Sequence, residues 1–177
     1  MIAIVDYGVG NLFSLKSSLS MIGASAIVTR NADDLRAADK IILPGVGAFE
    51  DAANKLRATG LDAVVIEQAR AGKPLLGICL GMQMLFDRSF EYGEHKGLGL
   101  IAGDVIDMRP QIPASLKVPH IGWNALKLTQ PVHPLFRYIK EGDCVYFVHS
   151  YYAANCEKAT IATAEYGADL TAAVASG

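Results

Sequence analysis

The sequence predicts an α/β protein, a three-layer sandwich with a mostly parallel central sheet and an antiparallel extension. Three observations predict it. Short, continuously apolar runs alternate with helix-period segments through the first half of the chain, the pattern of strands buried on both faces and joined by helical crossovers. Past residue 97 the helical pattern gives way to strand-length runs broken by turn residues, which suits antiparallel or mixed pairing. Finally, 51% of the 177 residues are hydrophobic and 19% charged, enough apolar material for a sizeable core and against a disordered chain.

In chain order, residues 2–5 form the first strand, and Asp6-Tyr7-Gly8-Val9-Gly10-Asn11 the turn that ends it. Asn11 is a natural N-cap for the helix whose stripe is Leu12, Leu15, Leu19 and Ile22, and Gly23 stops that helix. The Gly-x-Gly in the turn lacks the third glycine of a dinucleotide fingerprint and reads as turn chemistry rather than phosphate binding. Residues 26–29 are a second strand, 31–38 a short helix and 41–43 a third strand. That strand runs into Pro44-Gly45-Val46-Gly47. This stretch is either a tight connection to the helix at 49–58 or a source of backbone N–H groups at the carboxyl edge of the sheet, where open α/β sheets bind ligands. A helix over 61–71 follows, closed by Gly72. Strands are expected over 98–108, 121–128, 144–149, 160–166 and 170–174. One domain spanning 1–177 is the natural organisation for this length.

Composition excludes several functions. A formal net charge of -2 with no basic run gives no general attraction to nucleic acid or anionic membrane. No apolar run approaches membrane-spanning length, and MIAIVDYGVG reads as a strand rather than a cleaved leader. Cys79, Cys144 and Cys156 have no metal-type spacing and leave one thiol unpaired in any disulfide scheme, which points to a reducing cytoplasm. Neither a metal nor a cofactor is expected.

The chemistry is concentrated in PLLGICLGMQ, residues 74–83. A short apolar run, expected to be a buried strand, leads to Cys79, with Gly77 and Gly81 two residues away on either side. Met82, Leu85 and Phe86 then recur at helical spacing. Strand, sharp turn and helix with a nucleophile at the turn is the nucleophile-elbow pattern. The alternative is a small core cysteine; the paired glycines and the strand-to-helix switch favour the elbow. At such a turn the backbone is strained and close-packed, so its neighbours must lack side chains. The following helix end is expected to lower the thiol pKa, and the Leu80 N–H to face a developing oxyanion.

PGVGAF (44–49), GICLGMQ (77–83), PHIGWN (119–124) and YFVHSYY (146–152) together resemble the class I (triad) glutamine amidotransferases, and more narrowly the glutaminase subunits of imidazole glycerol phosphate synthases. The resemblance extends over essentially the whole chain. It implies that Cys79 attacks the side-chain amide of glutamine, that a glutamyl thioester and ammonia form, and that ammonia passes to a (βα)8-barrel cyclase subunit. That partner makes imidazole glycerol phosphate and an aminoimidazole carboxamide ribotide in histidine biosynthesis. By the same resemblance Leu80 supplies one oxyanion amide and Val46 or Gly47 the second, after a peptide flip. Gly47, Gln83, Glu91, His149, Ser150 and Tyr151 match glutamine-contacting positions, while Asn11, Pro119, His120, Trp123 and Asn124 match the partner interface. Trp123 has a second reading, a partly buried core residue. His149 ends an apolar run, where a histidine is more often structural than catalytic, and the family places its base elsewhere.

That base and its orienting Glu lie in an HPEK-like segment near the family's C-terminus, and the 177 residues contain no match to it. The expectation is that the sequence stops within the last hairpin and that a longer native chain carries the pair. The alternative is a catalytically inert docking subunit that holds the cyclase in shape.

Overall fold

The computed structural model describes all residues, 1–177. The chain divides into two compact units, residues 1–89 with 93–100, and residues 90–92 with 101–177.

The first unit holds a four-stranded parallel sheet built from β1 (Ile2–Val5), β2 (Ala26–Thr29), β3 (Lys40–Leu43) and β4 (Leu75–Gly77), in the order β2-β1-β3-β4. Ala3, Ile4, Val5, Ile41 and Leu43 are buried, as continuously apolar strands of a covered sheet should be. The connections are α1 (Leu12–Met21), α2 (Ala32–Ala37), and the pair α3 (Phe49–Ala58) and α4 (Leu61–Arg70). Asn11 and Asn31 cap α1 and α2, their side chains accepting from Ser14 N–H and Asp33 N–H at 3.1 and 2.8 Å. Asp33 and Asp34 sit in the first turn of α2 and Arg36 in its last, complementing the helix dipole. Helices α2 and α3 each pack on α4. Burial of Phe49, Leu56 and Val65 contributes about 1.5–3 kcal/mol per side chain, an upper bound because the unfolded chain is itself partly compact.

Helix α1 forms where expected, with Leu12, Leu15 and Leu19 half-buried and Phe13, Met21 and Ile22 exposed. One expectation fails in this unit: the helical stripe Met82-Leu85-Phe86 is broken. Helix α5 covers only Leu80–Gln83, and Phe86–Ser89 is a strand, β5, paired antiparallel with β6 (His95–Lys96). The cause is competition for carbonyls. Those of Met84, Leu85 and Phe86 accept from Leu98, Leu100 and Gly99 N–H at 2.8, 2.9 and 3.1 Å, and a helix would need them for its own amides. The incoming segment fits because residue 97 is glycine: a Cβ there would lie 2.0 Å from the Phe86 carbonyl oxygen.

The second unit is antiparallel. Strand β7 (Ile101–Asp107) pairs with β10 (Tyr151–Ala154). Strands β8 (His120–Leu128), β9 (Cys144–His149), β11 (Thr160–Glu165) and β12 (Asp169–Val174) form a sheet in the order β12-β11-β8-β9. Strand β8 is long enough to pair β9 along His120–Ala125 and β11 along Leu126–Leu128. One cluster of this unit's core joins Leu126, Phe136, Ile161 and Ala162, and a second joins Met108, Ile112 and Leu170. Strand β10 was not anticipated, because Tyr151 follows directly on the β9 run with no turn residue but Ser150.

Candidate active site

Cys79 stands between the end of β4 and the start of α5 with φ 54° and ψ -117°, a left-handed conformation that a side chain rarely adopts. The two flanking glycines are required by contact. A Cβ on Gly77 would lie 2.6 Å from Met82 Cα, and one on Gly81 would lie 1.9 Å from the Leu43 carbonyl oxygen. Ile78 N–H donates to that same carbonyl at 3.0 Å, which ties the elbow to the end of β3. A strained residue held by close backbone packing is the arrangement that an exposed nucleophile needs.

The electrostatics differ from expectation. Surrounding protein pushes the Cys79 thiol above its ordinary value, and a hydrogen bond from Leu80 N–H opposes that shift without reversing it. The residue as a whole is open to solvent, so the proton is held by crowding around the sulfur rather than by enclosure. Helix α5 has four residues, too few to aim a substantial dipole at the sulfur. Strand β4 is also less covered than expected: it lies at the edge of its sheet, with Leu76 and Ile78 40% and 38% exposed.

The Pro44–Gly47 loop leans on the elbow at its base and is free at its tip. A Cβ on Gly45 would lie 2.6 Å from Gly81 N and 2.9 Å from Leu80 Cβ. The buried Tyr7 hydroxyl donates to the Pro44 carbonyl at 2.7 Å, and Gly10 approaches the Pro44 ring. The N-terminal Gly-x-Gly turn is therefore used for packing, and Asp6 beside it accepts from Gly8 N–H and pairs with Arg30. At the tip, Gly47 has φ 91° with open space where a side chain would go, and Val46 is exposed. Gln83 lies on α5, its N–H bonded to the Cys79 carbonyl at 3.1 Å.

The remaining candidate residues fall in the second unit. Glu91 is half-buried, next to Tyr92, whose ring meets that of Tyr151 edge-on at 6.2 Å. Burial first, then the negative charge of Asp107, Tyr92 and Glu91, holds the Tyr151 hydroxyl in its protonated form. His149 has both ring nitrogens engaged, Nδ1 with the Tyr151 carbonyl and Nε2 with His120 Nδ1, each at 3.0 Å. Sequence reasoning missed the His120–His149 pairing. The register that brings them opposite each other, β8 against β9, is a tertiary property with no local signal.

The PHIGWN segment divides by strand alternation. Ile121 and Trp123 face outward opposite Val148 and Tyr146, and all four are exposed. Trp123 is 72% exposed, which removes the core reading. His120 points the other way and is 4% exposed, so its side chain is not available to a partner surface as expected. Pro119 follows a cis peptide bond, and Asn124 is half-buried with its amide donating to the Glu165 carbonyl at 2.8 Å. Asn11, which is exposed, spends its side-chain oxygen on the α1 cap.

Solved structures share this fold. One described as a glutamine amidotransferase superposes with a TM-score of 0.70 at 18% identity, over 92% of this chain and 80% of that one. The PurLQS complex from Thermotoga maritima gives 0.67 at 19% identity, over 95% and 76%. A family model, "Glutamine amidotransferase class-I", matches residues 3–176. The imidazole glycerol phosphate synthase subunit HisH of Oceanobacillus iheyensis is 47% identical over 178 residues, covering 100% of this chain and 86% of that protein. HisH of Bacillus licheniformis is 48% identical over 180 residues, covering 100% and 84%. The chain belongs to the class-I glutamine amidotransferases and, within them, to the HisH family of imidazole glycerol phosphate synthase subunits.

Proposed function

We propose that this chain is the glutaminase subunit of an imidazole glycerol phosphate synthase. The observation that carries the reading is the strained Cys79 at the β4–α5 junction, in a chain nearly half identical to HisH proteins along its whole length. The Cys79 sulfur bonds to the side-chain carbonyl carbon of glutamine, and the C–N bond breaks. The thiol proton is delivered to the leaving nitrogen, which departs as ammonia. Water then cleaves the thioester to give glutamate and the free thiol. Leu80 N–H and the Val46 or Gly47 amide stabilise the oxyanion. Gly47, Gln83, Glu91, Ser150 and Tyr151 hold glutamine, and His149 acts through the backbone beside it. Because burial raises the Cys79 thiol pKa, a general base is needed to release the thiolate.

The ammonia goes to a (βα)8-barrel cyclase subunit in the cytoplasm, which makes imidazole glycerol phosphate and an aminoimidazole carboxamide ribotide. The exposed face of Ile121, Trp123, Tyr146 and Val148 supports an interface there, since aromatic anchors exposed on a free subunit are characteristic of partner surfaces. No helix is long and apolar enough to cross a membrane.

The test is Cys79→Ala in the full-length protein with its cyclase partner. Glutamine-dependent synthesis is expected to disappear while ammonia-dependent synthesis continues. Glutamate release by the variant would remove Cys79 as the nucleophile.

A further inference from the structure

Two histidines from neighbouring strands, one of them buried, meet ring to ring beside the residues assigned to glutamine. We infer that His120 is a positioning residue: it fixes the proton arrangement of His149 and thereby the backbone at Ser150 and Tyr151. The Ser150–Tyr151 part of this inference rests on the function proposed above.

The hydrogen atoms follow from the acceptors. A carbonyl oxygen only accepts, so the 3.0 Å contact between His149 Nδ1 and the Tyr151 carbonyl places a hydrogen on Nδ1. A neutral imidazole has one N–H, so His149 Nε2 carries a lone pair. Its 3.0 Å partner, His120 Nδ1, must then be the donor. The chain of bonds runs in one direction, from His120 Nδ1–H to His149 Nε2 and from His149 Nδ1–H to the Tyr151 carbonyl. A proton added at His149 Nε2 would reverse the first bond and force His120 into its other tautomer, with the hydrogen on Nε2 and Nδ1 accepting. Burial opposes that proton, lowering the pKa of both rings.

The rings are immobilised by packing. His120 stacks on Tyr166 at 4.0 Å and on Phe147 at 5.0 Å, both at 21°, and the Tyr166 hydroxyl is tied to the Lys117 carbonyl at 2.8 Å. Downstream, the His149 ring reaches across Ser150 to grip Tyr151, while the Ser150 carbonyl accepts from Met108 N–H at 3.1 Å. The crossing from β9 to β10 is thus held from both sides, which fixes the peptide groups that a bound amino acid meets there. The effect of His120 is on binding geometry, so it belongs in KM rather than kcat.

The experiment starts with nitrogen-labelled imidazole NMR on the unmodified protein, which reads each tautomer directly. His149 is expected as the neutral Nδ1–H form at about pH 7. A proton on His149 Nε2 with Nδ1 bare would overturn the inference. His120→Phe keeps an aromatic ring for the stack and removes the donor. His149 should then titrate at higher pH, and KM for glutamine in the complex with the cyclase should rise about five- to tenfold, the equivalent of one lost hydrogen bond, with kcat within about twofold. His120→Asn presents an amide N–H near the position of Nδ1 and should restore KM to within about threefold. Equal loss in the Phe and Asn variants would overturn the positioning role in favour of packing alone. A shifted His149 titration with unchanged KM would uphold the hydrogen-bond chain and overturn the assignment of Ser150 and Tyr151 to glutamine.

Discussion

Replacing Tyr7 with Phe removes one oxygen atom and nothing else from the base of the Pro44–Gly47 loop. In the folded chain the Tyr7 ring is 3% exposed and its hydroxyl donates to the Pro44 carbonyl at 2.7 Å. Phenylalanine fills the same space, so no cavity term arises; the loss is the hydrogen bond, together with a buried acceptor deprived of its donor. That combination costs about 1–3 kcal/mol. With a urea slope of about 2 kcal/mol/M, the unfolding midpoint should fall by roughly 0.5–1.5 M. The comparison has a built-in pH check. Burial raises the Tyr7 pKa above its ordinary value, so the folded state keeps the proton after the unfolded state has lost it. The Tyr7 contribution is fully present below about pH 10 and declines as pH rises beyond it. The gap between wild type and variant should therefore narrow in alkali. Urea titrations at neutral pH and above pH 10 measure both effects. A neutral-pH midpoint within about 0.2 M of wild type would refute the claim that this hydroxyl anchors the loop.

Two further outcomes are expected. Gly81→Ala would place a Cβ 1.9 Å from the Leu43 carbonyl oxygen, a backbone clash that no rotamer relieves. The end of β3 must part from the elbow, at a cost of about 3 kcal/mol or more, and amide exchange at Ile78, which donates to that carbonyl, should accelerate. Unchanged Ile78 protection would refute the contact. Alkylation of Cys79, followed by mass spectrometry of its peptide, should show a pH midpoint above the ordinary thiol value of 9.0, because only the thiolate reacts. A midpoint below 9.0 would reinstate the helix-end effect expected from sequence.

The parallel half of the fold was legible because its signals are local. Strands β1 to β3 announce themselves as apolar runs, Asn11 caps as its side chain predicts, and the glycines around Cys79 mark the elbow. The failures occur where a distant segment decides. Met82, Leu85 and Phe86 satisfy a helical period, yet Phe86 begins a strand. The decision is made by amides from Leu98 to Leu100, about fourteen residues later in sequence. His120 and His149 are 29 residues apart and are joined by strand register alone. In PHIGWN the sequence could not say which side of β8 is covered. Period-two alternation separates His120 from Trp123, but only the strands packed on β8 decide which of the two faces inward.

The short length of α5 follows from Leu98–Leu100 capturing the carbonyls that a longer helix would have used, while burial of the sulfur raises the Cys79 pKa. A helix of several turns would present a dipole and a set of free N–H groups to the sulfur; four residues present little beyond the Leu80 amide. Crowding around the sulfur then outweighs the opposing hydrogen bond, and the thiol keeps its proton. On the function proposed above, turnover then needs a base at the sulfur, since only the thiolate attacks. The Pro44–Gly47 loop beside it is pinned at Pro44 and open at Gly47. The Leu98–Leu100 segment that truncates α5 thus leaves the Cys79 elbow held by its backbone packing against the end of β3 rather than by a long helix.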